Sequence, residues 1–392
     1  MKEVVIVAAS RTPIGSFGGA LAKQTAPELG AVAIGQVLKE SGIPHDDIDE
    51  VAMGCVLTAG VGQAPARQAA LKAGLPDKTP CTTINKVCAS GMKSVMYASN
   101  MIQAGDADIV VAGGMESMSN VPYYLPSERF GAKMGHSQTQ DGILKDGLWD
   151  VYNDFHMGNA GEICAKENGI SREEQDKFAE QSYRRSQKAQ EEGWLKDQIA
   201  PVKAKGHKGE TEVVDSDEEI YKVKFEKIAS LKPAFDKNGT ITAANAPSVN
   251  DGAAALLVMS REKAEEYGLT PLAVIRSQAS SAKAPEWFTT APADAIPAAL
   301  EKANVDKNQV DLFEINEAFS VVALANNQIL GLDDQKVNIH GGAVSMGHPI
   351  GCSGARILVT LIYALKQTDG KVGCAGICNG GGGASAMVIE MQ

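Results

Sequence analysis

Residues 88–113 of this chain align without a gap on residues 351–376, and a chain duplicated in this way is expected to fold as two like halves. Ser90-Gly91 falls on Ser353-Gly354, Lys93 on Arg356, Asp106 on Asp369, and Ala112-Gly113 on Ala375-Gly376. After each Ser-Gly pair, apolar residues recur at helical spacing. They are Met92, Val95, Met96 and Ile102 in the first copy, and Ile357, Leu358, Leu361, Ile362 and Leu365 in the second. A short apolar run then predicts a strand at 109–112 and another at 372–375. A fainter echo pairs 47–54 with 309–316, each after a helical stretch, 31–40 and 295–302. Opening strands are expected at 4–8 and 273–277. The pattern predicts an α/β fold in which two sheets pack with helices between and outside them.

Residues 119–250 fit neither copy. They are polar, and Ser171-Arg172-Glu173-Glu174 has the form of a capping box that starts a helix running to about Gly193. A charge-rich run at 196–236 follows, with Lys203, Lys205, Lys208, Lys222, Lys224, Lys227 and Lys232. It reads as a solvated surface or as an inserted lid whose lysines meet an anionic ligand. The expected organisation is an N-terminal half (1–118 plus 251–270), an inserted loop domain (119–250) and a C-terminal half (271–392).

At 392 residues the chain exceeds one ordinary core. A formal net charge of −11 argues against nucleic acid or an anionic membrane as partner. No apolar run approaches the ~18 residues of a membrane span. The chain opens on a strand-like stretch, Val4-Val5-Ile6-Val7, rather than on a charged leader, so the cytosol is expected, with the mitochondrial matrix as the alternative for a trimmed mature form. Seven irregularly spaced cysteines without a CxxC pair fit neither a disulfide framework nor a zinc site.

Three of these cysteine and histidine positions carry chemistry. Cys88 lies where a strand-like segment gives way to a helix, and a thiolate is favoured at a helix N-terminus. His348 lies in Gly347-His348-Pro349-Ile350-Gly351, where proline stiffens the loop and the glycines open it. Its imidazole could accept the Cys88 proton or donate to an acyl oxygen. Cys378 ends an apolar strand and enters Asn379-Gly380-Gly381-Gly382-Gly383. That run reads as a hairpin turn or as a thiol beside free backbone N–H groups, an oxyanion site. Asn316, after another buried strand, could orient a water or hold an enolate oxygen. Each of these also has a purely structural reading. Neither a P-loop nor a GxGxxG motif is present, which leaves nucleotide-cofactor chemistry without support.

Taken together, Val87-Cys88-Ala89-Ser90-Gly91-Met92-Lys93, Gly113-Gly114-Met115-Glu116-Ser117-Met118-Ser119, Asn316-Glu317-Ala318-Phe319, residues 347–356 and Cys378-Asn379-Gly380-Gly381-Gly382 resemble the thiolase family over essentially the whole chain. The lid stretch Asp146-Gly147-Leu148-Trp149-Asp150 with His156-Met157-Gly158 resembles its biosynthetic branch, the acetyl-CoA C-acetyltransferases, close to the animal mitochondrial type. The resemblance implies a duplicated five-layer α-β-α-β-α architecture and a reversible Claisen condensation of two acetyl-CoA to acetoacetyl-CoA and CoA. Cys88 would be the acetylated nucleophile, His348 its base, and Cys378 the acid/base at carbon. One oxyanion hole would use His348 and a water on Asn316, the other the N–H groups of Cys88 and Gly380.

By the same resemblance, CoA or substrate would meet Leu148, His156, Met157, Tyr183, Lys222, Val223, Lys224, Lys227, Phe235, Ala244, Ser248, Phe288, Ala318 and Phe319. No cofactor is required, and CoA enters as substrate and product. A potassium ion is implied at Tyr183, Ala243, Ala244, Ala246 and Val344. The implied assembly is a homotetramer, a dimer of dimers. In Asn245-Ala246-Pro247-Ser248, Pro247 lacks a hydroxyl that relatives offer to pantetheine. Trp287-Phe288-Thr289 lies where the animal mitochondrial type has a Phe-Pro pair tied to 2-methyl-branched substrates; here Thr289 replaces the proline, which leaves use of 2-methylacetoacetyl-CoA open. The alternatives are a degradative 3-ketoacyl-CoA thiolase of broader chain length and a non-catalytic acyl-CoA carrier on the same scaffold.

Overall fold

The computed structural model describes residues 2–205 and 210–392; Lys208 of the lysine-rich run lies outside them. The first half runs β1 (Val4–Arg11), α1 (Ala26–Ser41), β2 (Glu50–Gly54), α2 (Pro65–Lys72), β3 (Cys81–Ile84), α3 (Ser90–Ala104) and β4 (Ile109–Ser117). The intervening stretch supplies α4 (Met157–Asn168) and α5 (Arg172–Glu191). Then follow β5 (Asn250–Ser260), β6 (Ala273–Ala282), α6 (Pro292–Ala303), β7 (Leu312–Ile315), α7 (Ser320–Leu330), α8 (Ile350–Gln367), β8 (Val372–Asn379) and β9 (Gly383–Met391). The Ser171 and Glu174 side chains form the capping box expected at the start of α5. Strands β1 and β6 are longer than the expected 4–8 and 273–277.

The sheet order is β7-β8-β9-β6-β1-β5-β4-β2-β3. Counted outwards from its middle, β1-β5-β4-β2 matches β6-β9-β8-β7, with the same sequence of antiparallel and parallel pairings. The match extends to detail. The β1–β5 register shifts between Ile6 and Ala8, and the β6–β9 register between Ile275 and Ser277. Asp49 Oδ2 accepts the N–H groups of Asp108 and Ile109, while Asp311 Oδ2 accepts those of Lys371 and Val372. Where two separate sheets were expected, one continuous sheet forms. Strands β1 and β6 would otherwise leave open edges, and they pair antiparallel at Val5↔Val274 and Ile6↔Ala273 on the pseudo-twofold axis.

Strand alternation sorts the core into layers. Val110 and Ala112 of β4 and Ala375 and Ile377 of β8 face one shared core with α3 and α8. Ile109 and Val111 face a second core under α1 and α2, and Cys374 and Val388 a third under α6. The order is therefore helix, half-sheet, helix pair, half-sheet, helix, five layers in all. Helix α8 is buried from Ile350 to Leu365, as a central layer requires. The repeated Ser-Gly pair is explained at the α3–α8 crossing. A Cβ on Gly91 would lie 2.7 Å from Ala355 N, and one on Gly354 would lie 2.5 Å from Met92 N. Only glycine lets these backbones approach so closely.

The stretch between β4 and β5 is fastened to this frame by buried polar contacts. Arg11 forms a bidentate pair with Asp217 at 2.7 and 2.9 Å and donates from Nε to Gln198 Oε1. Glu317 accepts from Ser182 Oγ of α5 and from the Val344 N–H. No helix among the described residues is long and apolar enough to cross a membrane.

Candidate active site

Cys88 sits in the turn between β3 and α3. Asn85 Oδ1 accepts the Val87 N–H, and Ser90 Oγ accepts the Lys86 N–H and donates to Val87 O. These bonds hold Val87 at φ +48°, a left-handed conformation that a β-branched residue adopts only under strain. The turn places the Cys88 sulfur against the N–H of Gly380, on the β8–β9 hairpin. Gly381 and Gly382 make the turn of the first reading (φ +83° and +89°), and Gly380 offers its N–H to the Cys88 sulfur.

His348 precedes α8. Its Nδ1 lies 2.6 Å from Ser353 Oγ, and Ser353 Oγ donates at 2.9 Å to Pro349 O. A carbonyl can only accept, so the single hydroxyl proton is directed to Pro349. Both contacts are hydrogen bonds only when the His348 proton is on Nδ1. That leaves Nε2 with a free lone pair, and Nε2 has no partner among the described residues. Burial, with Arg356 nearby, lowers the imidazole pKa to about 3, so the ring is neutral. Arg356 itself lies 3.6 Å from Glu314, a wholly buried pair beneath the loop.

Burial pushes the Cys88 thiol up to about 11, against the opposing pull of the Gly380 and Cys88 N–H groups. Cys378 is fully buried at the end of β8, and its pKa is raised well above the ordinary thiol value, first by burial and then by Cys88. At neutral pH the resting site therefore holds two thiols and a neutral imidazole.

Cys88 and His348 open on a cavity of about 220 Å³. Cys88, His348 and Gly380 line it together with Leu148, His156, Met157, Phe235, Ser248, Phe288, Ala318 and Phe319, all of which the sequence singled out. His156 stacks on Phe235 at 4.6 Å and accepts the Gly158 N–H. Cys378 packs behind the lining, in one cluster with Met157, Phe288, Ala318 and Phe319. Asn316 is buried, and both its side-chain polar atoms are unpartnered among the described residues, a state that an ordered water would relieve. A larger open groove of about 1060 Å³, between α5 and α7, is lined by no thiol or imidazole.

The remaining candidates lie elsewhere. Tyr183 and Val344 share a small cluster with Val223. Ala244 is buried, Ala243 is exposed, and Ala246 joins the cavity wall. Lys222 is tied to Ser16, Glu218 and Glu219, while Lys224 and Lys227 are exposed. Ser248 spends its hydroxyl proton on Asn250 Oδ1 at 2.9 Å.

Sequence reasoning missed the supports. Glu116 accepts the N–H groups of Val56, Leu57 and Gly351 and thereby fixes the start of α8, while burial raises its carboxyl to about 7. A Cβ on Gly351 would stand 2.7 Å from Glu116 Oε2, so the glycine following Ile350 serves this approach. The one signal in the chain was a glutamate inside an apolar strand, Gly114-Met115-Glu116-Ser117.

Comparison with known proteins agrees over the whole length. The model described as "Thiolase, N-terminal domain" matches residues 4–262, and "Thiolase, C-terminal domain" matches residues 269–391. The chain is 57% identical to "Acetyl-CoA acetyltransferase 1" of Arabidopsis thaliana, covering 100% of this chain and 95% of that protein. It is 54% identical to "Acetyl-CoA acetyltransferase" of Schizosaccharomyces pombe, over 99% of this chain and 98% of that one. It is 52% identical to the protein of that name from Cupriavidus necator, over 100% of both.

Proposed function

The chain belongs to the thiolase family, and on that premise we propose that it is an acetyl-CoA C-acetyltransferase, condensing two acetyl-CoA into acetoacetyl-CoA and CoA and running the thiolysis in reverse. The observation that carries this reading is the meeting in one small apolar cavity of Cys88, the Gly380 N–H on its sulfur and the free Nε2 of a neutral His348.

The steps follow from the resting protonation. Cys88 gives its proton to His348 Nε2 as its sulfur adds to the thioester carbonyl. Departing CoA takes a proton from Cys378, so the acetyl-enzyme holds an imidazolium and a Cys378 thiolate. Acetylation caps Cys88 and removes the like-charge contribution it makes to the Cys378 pKa. Cys378 then removes a methyl proton from the second acetyl-CoA. The carbanion attacks the acetyl carbonyl, and the Cys88 sulfur leaves and recovers the imidazolium proton. The enzyme returns to two thiols and a neutral ring. The N–H groups of Cys88 and Gly380 stabilise one oxyanion, and His348 with a water on Asn316 the other.

The cavity size and its Leu148, Met157, Phe288 and Phe319 walls favour short acyl chains over the longer ones of a degradative enzyme. The intact set of Cys88, His348 and Cys378 disfavours a non-catalytic carrier. For a monovalent cation, the resemblance points to oxygen donors of Tyr183, Ala243, Ala244, Ala246 and Val344; of these, Tyr183 and Val344 pack in one cluster, and the negative charges of Glu219 and Glu317 near Tyr183 favour a potassium ion there. Such an ion would order the stretch beside the cavity and take no part in bond changes. Lys224 and Lys227, exposed on the 119–250 stretch, are read as meeting the CoA phosphates. A tetramer is supported by Tyr123, Leu125, Phe130 and Met134, which that stretch exposes.

The test is to incubate the protein with acetyl-CoA, acetoacetyl-CoA, 2-methylacetoacetyl-CoA and a long 3-ketoacyl-CoA. Acetyl on Cys88 by peptide mass spectrometry, with turnover of the C4 substrate and little of the long one, supports the reading. Absence of acetyl transfer refutes it. For potassium, the thermal midpoint in potassium against sodium salts gives a readout independent of turnover.

A further inference from the structure

We infer that Asn250 is a positioning residue for His348, joining the cavity wall at Ser248 to the loop that carries the imidazole. The inference rests on His348 being the base for Cys88.

Asn250 is the first residue of β5 and is fully buried. Its Oδ1 accepts two bonds, from the His348 N–H at 3.0 Å and from Ser248 Oγ at 2.9 Å. Its Nδ2 donates to Gly15 O at 2.9 Å. The orientation of the amide is settled by these partners: two donors face the oxygen and a carbonyl faces the nitrogen. The contact also explains the glycine before His348. Gly347 is at φ +104°, and a Cβ there would overlap the Asn250 carboxamide. Glycine at 347 therefore lets the amide reach the His348 main chain.

The far end of this link is rigid. Gly15 pairs with Asp251, the Ile14 N–H is held by Asp217, and the Ser16 N–H by Glu218. Asp217 is itself the partner of buried Arg11. The near end touches the site twice, since Ser248 lines the cavity and its carbonyl also lies 3.3 Å from the His348 N–H. Asn250 touches neither thiol. It fixes the backbone from which the imidazole projects, while Ser353 fixes the proton on the ring. Without Asn250, the His348 N–H keeps only the long contact to Ser248 O, and the free Nε2 loses its aim at Cys88.

The experiment is a double-mutant cycle on the rate of acetyl-enzyme formation, with acetyl-CoA as the probe, in Asn250→Ala, Asn250→Asp, His348→Ala and the two double variants. Asn250→Ala is expected to slow acetylation by about tenfold to a hundredfold, the coupling of neighbours in one hydrogen-bond network, with KM for acetyl-CoA nearly unchanged. Asn250→Asp keeps the acceptor and recovers part of the rate. In the His348→Ala background neither change at 250 should slow acetylation further. Equal losses in both backgrounds, or a loss confined to KM, would overturn the inference. If Asn250→Ala does not fold, Asn250→Asp and Ser248→Ala carry the same cycle. If His348→Ala alone acetylates normally, the reading of His348 as base fails first; additive losses with a slow His348→Ala strike only the role of Asn250.

Discussion

Ser353→Ala should disable the base without disturbing the nucleophile. The hydroxyl is the acceptor for His348 Nδ1–H at 2.6 Å, and its loss leaves that donor buried and unpaired. An unpaired buried donor costs about 1–3 kcal/mol. The ring can escape the cost by moving its proton to Nε2, where the carbonyl oxygen of bound substrate can accept it, and in that tautomer His348 cannot accept the Cys88 proton. The penalty therefore appears as depletion of the competent tautomer, and about 1.4–2.8 kcal/mol corresponds to a tenfold to hundredfold slower acetylation. Little else should change. Pro349 O still accepts the Cys352 and Ser353 N–H groups, and the substitution leaves no large void. The assay is rapid-quench measurement of acetyl-enzyme, with ¹⁵N shifts of the imidazole to read the tautomer. Ser353→Thr, which keeps the hydroxyl, should recover the rate. Acetylation of Ser353→Ala at the unaltered rate, or imidazole shifts that do not move, would refute the reasoning.

Other outcomes follow from the same geometry. Burial lowers His348 to about 3 and raises Cys88 to about 11, so the rate of acetylation should stay flat from roughly pH 6 to 9; an apparent pKa near 7 in that step would contradict it. The same depressed His348 means that the unfolded chain binds more protons between about 6.5 and 3, so urea titrations should show stability falling as pH drops through that window. Gly354→Ala puts a methyl 2.5 Å from Met92 N at the α3–α8 crossing and should cost about 1–3 kcal/mol, seen as a lower thermal midpoint. Asp217→Asn leaves Arg11 buried without its counter-charge and should destabilise by about 3–5 kcal/mol, read by chemical denaturation.

Much of this architecture was legible because it is written twice. The Ser-Gly pairs, the helix faces after them and the Asp49 and Asp311 clamps each repeat, and each records a local rule of helix crossing or strand entry. The candidates Cys88, His348 and Cys378 were legible because each stands in a short segment marked by glycines. What stayed hidden depends on packing between distant elements. The pairing of β1 with β6 joins the half-sheets through two residue pairs that no local pattern announces. Glu116 and Asn250 act through hydrogen bonds to backbone groups far away in the chain, and Ser353 through the His348 ring across a turn, and a side chain's partners cannot be read from its own neighbourhood. Lys222, for which the resemblance implies a CoA contact, also has partners in Ser16, Glu218 and Glu219, and only the last two lie near it in the chain.

The division of labour between the two thiols is open to one decisive measurement. Cys378→Ala is incubated with acetyl-CoA, and acetyl on Cys88 and acetoacetyl-CoA in solution are quantified in the same sample. Acetylated Cys88, formed more slowly because departing CoA must draw its proton from solvent instead of Cys378, with no detectable acetoacetyl-CoA is the expected result, because the nucleophile and its base remain while the group that removes the methyl proton is gone. Normal condensation by Cys378→Ala would show that some other group handles the proton on carbon.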